Sequence, residues 1–151
     1  MWNDAYLESR ILSADPLELI RMLYEAGIDS VREARKHLEA RDVRARSHAV
    51  GRAVAIVGEL EGSLDHRAGG DIARNLAELY QYIRQRLTEG NLRQADGPLA
   101  EAERLLETLL EGWKQIQPTQ GASVEDVPPA AGMMAGVFGI GSGLEAHTWS
   151  A

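Results

Sequence analysis

Leu17, Ile20, Tyr24, Gly27, Val31, Ala34 and Leu38 follow one another at alternating steps of three and four residues. Val50, Ala53, Val57, Leu60 and Leu64 keep the same rhythm, and so do Leu99, Ala102, Leu106, Leu109, Trp113 and Ile116. Between them Ile72, Leu76, Leu79, Ile83 and Leu87 form a stripe with slightly looser steps. Residues spaced in this way lie on one face of an α-helix, and that face must be buried. Four comparable amphipathic helices with short connections predict an all-α fold, an antiparallel four-helix bundle.

The punctuation between the stripes agrees. Asp15-Pro16-Leu17-Glu18 combines a cap, a proline suited to the first helical position and a glutamate able to reach back, so the first helix is expected from Pro16 to about Ala40. Asp42 is placed to cap the second helix, which is expected to end near Leu64. Ala68-Gly69-Gly70-Asp71 is read as a break and restart, with Asp71 near the positive end of the third helix. The third helix is expected to stop at Gly90-Asn91, and Asp96-Gly97-Pro98 to open the fourth.

The helices hold more apolar residues than their seams need. Ala49, Val54 and Ile56 stand beside the second seam, Tyr80 and Tyr82 beside the third, and Leu105 and Leu110 beside the fourth. A bundle helix requires only one stripe toward the core. The plain explanation is a generous core; the sharper one is a hydrophobic groove for an amphipathic partner helix. Tyr24, Tyr80 and Tyr82 suit either a core edge or a groove rim, because a buried phenol still needs a partner for its hydroxyl. Residues 1–13, expected to be a short helical segment, carry Tyr6, Leu7, Ile11 and Leu12, which cannot bury themselves alone. Laid in the groove, they would shield it while no partner is bound.

After Ile116 the helical pattern stops. Residues 117–151 mix proline, glycine and small residues without periodicity, the composition of a disordered tail. Three segments result: an N-terminal segment over 1–13, the bundle over 14–116 and the tail over 117–151. Met133 to Ile140 is unusually apolar for a linker. It is either an extension without a role or a short segment that docks on a partner or on its own bundle. Its glycines make no phosphate cradle, since neither a strand before nor a helix after is predicted.

Charge and composition narrow the function. A net charge of −7 argues against nucleic acid as the main partner. Arg32, Arg35, Lys36, Arg41, Arg44, Arg46 and Arg52 gather around the first interhelical turn, as a solvated bundle end or as a patch for an acidic partner. With no cysteine, disulfides and thiolate metal sites are excluded. No secretory signal and no run near the length of a membrane span are visible, so a cytoplasmic location is expected. The Glu-x-x-His pairs of di-metal bundles are missing: Glu33 and His37 are four apart, Glu145 and His147 two apart. No nucleophile elbow or His-Asp pairing accompanies the serines. Glu101, Glu103, Glu107 and Glu111 are read as a solubilising face. The expectation is a non-enzyme without catalytic residues, metal or other cofactor.

Tyr6 and Ile11, then Ser13-Ala14-Asp15-Pro16-Leu17-Glu18-Leu19-Ile20-Arg21-Met22-Leu23-Tyr24-Glu25, resemble the opening of the flagellar secretion chaperones of the FliS family. Ser63-Leu64-Asp65, Gly69-Gly70-Asp71-Ile72-Ala73, Asn75-Leu76, Leu79-Tyr80-Gln81-Tyr82, Arg86-Leu87 and Asn91 resemble that family's second signature, and Trp113 fits too. The likeness spans about residues 4–116. Glu25-Ala26-Gly27 departs from the family's usual acidic-Gly-Ala order, and the tail has no counterpart. The resemblance implies a cytoplasmic chaperone that binds the disordered C-terminal segment of flagellin, prevents premature polymerisation and aids its secretion. It implies a partner that folds on a hydrophobic surface, with the chaperone's N-terminal segment able to occupy part of that surface beforehand. Ile56, Leu60, Leu64, Leu76, Tyr80 and Ile83 are the candidate groove residues, and Tyr6, Leu7 and Ile11 the candidate shielding residues. The export apparatus or another flagellar regulator is a further candidate partner, and a homodimer a candidate assembly. The competing reading is a self-associating helical scaffold or adaptor without chaperone activity.

Overall fold

The computed structural model describes residues 16–116 together with Val137 and Phe138. The first span forms four helices: α1 (Pro16–Glu39), α2 (Val43–Gly62), α3 (His66–Arg93) and α4 (Asp96–Ile116). Two or three residues join each helix to the next, which forces consecutive helices to run antiparallel. α1 packs on α2 and α4, and α3 packs on the same two, closing the ring of a four-helix bundle.

Local chemistry sets the ends. The Asp42 carboxylate accepts the Ala45 N–H at 3.1 Å. Asp65 starts α3 earlier than Gly69-Gly70 suggested, accepting the N–H groups of Arg67 and Ala68, both at 3.0 Å. The glycine pair is therefore a kink inside a helix: Gly70 sits at φ 52, ψ −128, a conformation that side chains with a Cβ resist. α3 then runs to Arg93, past the expected stop at Gly90-Asn91, and closes on left-handed Gln94, whose N–H reaches the Gly90 carbonyl.

The core follows the first two stripes closely, and the fourth with one exchange: Leu110 is buried, and Leu109, expected in the seam, is only partly so. The third is shifted: Ala73, Leu76, Tyr80, Ile83, Leu87 and Gly90 are the buried row of α3, stepping by three and four. Ile72 and Leu79, read from sequence as seam residues, are only partly buried against it. Spacing outweighs side-chain hydrophobicity here, because a rigid helix cannot turn Ile72 inward without turning Tyr80 outward.

Arg46 is the buried charge of this core, 3% exposed. Its guanidinium donates to the Asn91 side-chain oxygen at 2.9 Å and to the Asn91 carbonyl at 3.3 Å, tying α2 to the last turns of α3. Ser47 donates to the same side-chain oxygen at 3.3 Å. Truncating Asn91 leaves a buried cation short of acceptors, so Asn91→Ala is expected to cost about 1.5–3 kcal/mol in denaturant unfolding, with Asn91→Asp tolerated better.

Much of the basic cluster is paired within the bundle. Arg32 reaches Glu107 at 2.7 Å, and Arg35 reaches Asp96 at 2.7 Å and Glu103 at 3.3 Å, stitching α1 to α4. The Arg35 bond holds the Asp96 carboxyl below its usual range. These contacts are half-exposed, each worth at most about 1 kcal/mol, and fix register more than they stabilise.

Candidate partner-binding surface

Leu60, Tyr80 and Ile83 are completely enclosed, and Leu64 and Leu76 are nearly so. Ile56 is half-buried with its Cγ2 turned toward Gly27 of α1, lying 3.3 Å from where a Cβ on that glycine would stand. The structure thus brings five of the six candidate groove residues to the α2–α3 core. Tyr6, Leu7 and Ile11 lie outside the described residues.

The apolar surplus emerges elsewhere. Ile72 and Leu79 share a side of α3 with Arg86 at steps of seven, while Leu105 and Leu109 share a side of α4 with Glu101 at steps of four. Arg86 donates to Glu101 at 3.0 Å, so these two sides face one another across the α3–α4 junction. Tyr82, 41% exposed, stands beside it and donates to the same Glu101. The result is a strip of four half-buried aliphatic residues with a polar clasp at one end. By antiparallel register the strip runs from that clasp toward Trp113 and the start of α3. The crevice between α1 and α4, by contrast, is lined by Glu25, Asp29, Arg32, Glu107, Glu111 and Lys114 beside Ile28 and Leu110. Its charges favour water over an apolar guest.

Trp113 closes the other end. It is 1% exposed, its indole N–H donates to the Leu17 carbonyl at 3.3 Å, and its ring meets Phe138 edge-on with centroids 5.2 Å apart.

Tyr24 and Tyr80 answer the question of the buried phenols. Their hydroxyls meet at 2.5 Å across the bundle, linking α1 and α3 through the core. Burial pushes the Tyr24 phenol up to about 12 from 10.0, and burial beside Tyr24 raises Tyr80 as well. Tyr80→Phe strands the Tyr24 hydroxyl and is expected to cost about 1–3 kcal/mol, whereas the Tyr24→Phe/Tyr80→Phe pair is expected to be close to neutral. The pH dependence has a definite sign. Below the ordinary phenol value both folded and unfolded chains keep these protons and the contribution is complete. Above it the unfolded chain gives them up first, so stability falls as pH rises toward Tyr24's folded value of about 12. Urea unfolding from about pH 9 to about pH 12 checks this, the double Phe variant losing less than the wild type.

Among the described residues no helix is long and apolar enough to cross a membrane, and no group of three or more His, Cys, Asp or Glu is placed to hold a metal ion. Comparison with known proteins adds identity to this geometry. The family described as Flagellar protein FliS matches residues 2–120. The flagellar secretion chaperone FliS of Salmonella typhimurium is 42% identical over 113 residues, 74% of this chain and 84% of that protein. FliSB of Pseudomonas aeruginosa, also named a flagellar secretion chaperone, is 33% identical over 76% of this chain and 91% of its own length. FliS of Bacillus subtilis is 28% identical over 74% and 82%. These relatives are named as chaperones, not enzymes. With the helical bundle and a family match that spans it, the chain belongs to the FliS family of flagellar proteins.

Proposed function

We propose that this chain is a cytoplasmic export chaperone that holds the disordered C-terminal segment of a flagellin, keeps it from polymerising and presents it for secretion. The observation that supports this reading is the half-buried aliphatic strip Ile72, Leu79, Leu105 and Leu109 on a bundle of the chaperone family. An unstructured segment that folds into an amphipathic helix would lay its apolar stripe there. Ile56, Leu60, Leu64, Leu76, Tyr80 and Ile83 form the supporting body: they fix α2 and α3 so that the strip keeps its shape. Tyr6, Leu7 and Ile11 are the occupant of this surface before the partner arrives. Delivery to the export apparatus, or to another flagellar regulator, would use faces the partner leaves free.

Filament growth tests the reading. Purified flagellin seeded to polymerise should stop when the chaperone reaches one equivalent, and resume when Leu79→Glu/Leu105→Glu protein of unchanged helicity replaces it. Growth unaffected by an excess of the wild-type protein would overturn it. Salt-insensitive self-association in place of flagellin capture would favour a scaffold.

A further inference from the structure

Val137 and Phe138 belong to the tail, beyond the residues that match the family, yet they are 0% and 7% exposed. Three features receive them. The Phe138 ring packs edge-on against Trp113, at 83° between planes. The Val137 carbonyl accepts the Asp65 backbone N–H at 2.7 Å. That donor is one a capping box would satisfy with a carboxylate three residues into the helix, where this chain has Ala68. Finally, Gly69 has no Cβ where one would stand 3.0 Å from the Val137 Cα and 2.7 Å from the Ala73 Cβ, so the tail backbone passes over a position that only glycine leaves open. Together Asp65, Gly69, Ala73 and Trp113 make a socket for an apolar–aromatic pair with a backbone carbonyl between.

We propose that the tail segment around Val137 and Phe138 is a built-in plug that occupies this socket and competes with an apolar–aromatic stretch of the export substrate for the Trp113 end of the bundle. Asp65 and Gly69 stand at the start of α3 and Trp113 near the end of α4, so the socket lies at the end of the bundle toward which the strip runs. The competition rests on the proposed function; the plug itself rests only on the contacts described. Such a plug lowers the apparent affinity of a competitor by the fraction of time it is open, keeping weak apolar segments out while a strong one displaces it.

The test uses the full chain and its Phe138→Ala variant, with Gly69→Ala as a second variant acting from the socket side. Hydrogen exchange at the Asp65 amide reads the plug directly, with the amides of Leu60 and Ile83 as controls. Phe138→Ala should speed Asp65 exchange about tenfold or more at unchanged core protection, independent of protein concentration, and should tighten binding of a flagellin C-terminal peptide about tenfold. An Asp65 amide indifferent to the substitution overturns the plug, and protection that grows with protein concentration makes it a contact between copies instead. Faster exchange with unaltered peptide affinity overturns the competition. If neither protein binds the peptide, the proposed function fails, and the plug is decided by anilinonaphthalene sulfonate fluorescence: a rise in Phe138→Ala supports a covered apolar socket, and no rise overturns it.

Discussion

Ile83→Asp and Leu60→Asp are expected to unfold the bundle. Both side chains are completely enclosed, one on α3 and one on α2, among Val57, Tyr80 and Leu87 of the same core. A carboxylate at either place loses its hydration and gains no partner, and it also removes a packed aliphatic group. Each effect costs several kcal/mol. Their sum is comparable to the roughly 5–15 kcal/mol by which domains are stable at all. Far-UV circular dichroism should show lost helicity at room temperature, with partial recovery at acid pH where the new carboxyl is neutral. A folded, helical Ile83→Asp protein that had lost only partner binding would assign this position to a contact surface instead of the core.

Trp113→Ala is expected to lower stability by about 3–5 kcal/mol, the usual range for a large aromatic removed from a core. The position closes one end of the bundle. Its ring fills the space between the first turn of α1 and the tail, with the indole N–H on the Leu17 carbonyl and the ring edge against Phe138. Trp113→Phe keeps most of the packing and loses the hydrogen bond, and should recover the larger part of the loss. Denaturant midpoints at constant slope measure both. A Trp113→Ala midpoint within experimental scatter of the wild type would mean that the end of the bundle is held by other contacts.

The architecture is legible because helical burial is periodic and the apolar residues of α1 and α2 have few rivals for the inward face, whereas in α4 the adjacent Leu109 and Leu110 compete for it and Leu110 is the buried one. Caps were legible where aspartate stands at a helix start, as at Asp42. The third seam was harder to read, since Ile72 and Leu79 outrank Ala73 and Tyr80 in hydrophobicity while fitting the period less well. By that pattern Tyr80 stands as surplus beside the seam; in the fold it is a core residue whose hydroxyl is satisfied by Tyr24, 56 positions away. No local pattern announces such a pair. Arg46 looked like its basic neighbours, and only the fold shows that it turns inward to Asn91.

Several residues that carry the family resemblance have structural duties: Asp65 caps α3, Tyr24 and Tyr80 bond through the core, and Asn91 holds Arg46. A signature of this kind identifies the bundle more than it identifies the contact residues. The strip at the α3–α4 junction emerged once the inward faces were known, as what they left over. The apolar run from Met133 to Ile140 stood out in sequence, but its receiver did not, because Gly69 and Trp113 come together only when α3 and α4 pack.

Calorimetric titration of the full chain with a peptide from the C-terminal end of the cognate flagellin is the most direct test of the central claim. Coupled folding on the aliphatic strip predicts one-to-one binding, a negative heat-capacity change and a gain in helicity beyond the sum of the parts. A folded chaperone that gives no heat and no added helicity, at peptide concentrations well above the protein's, would contradict it.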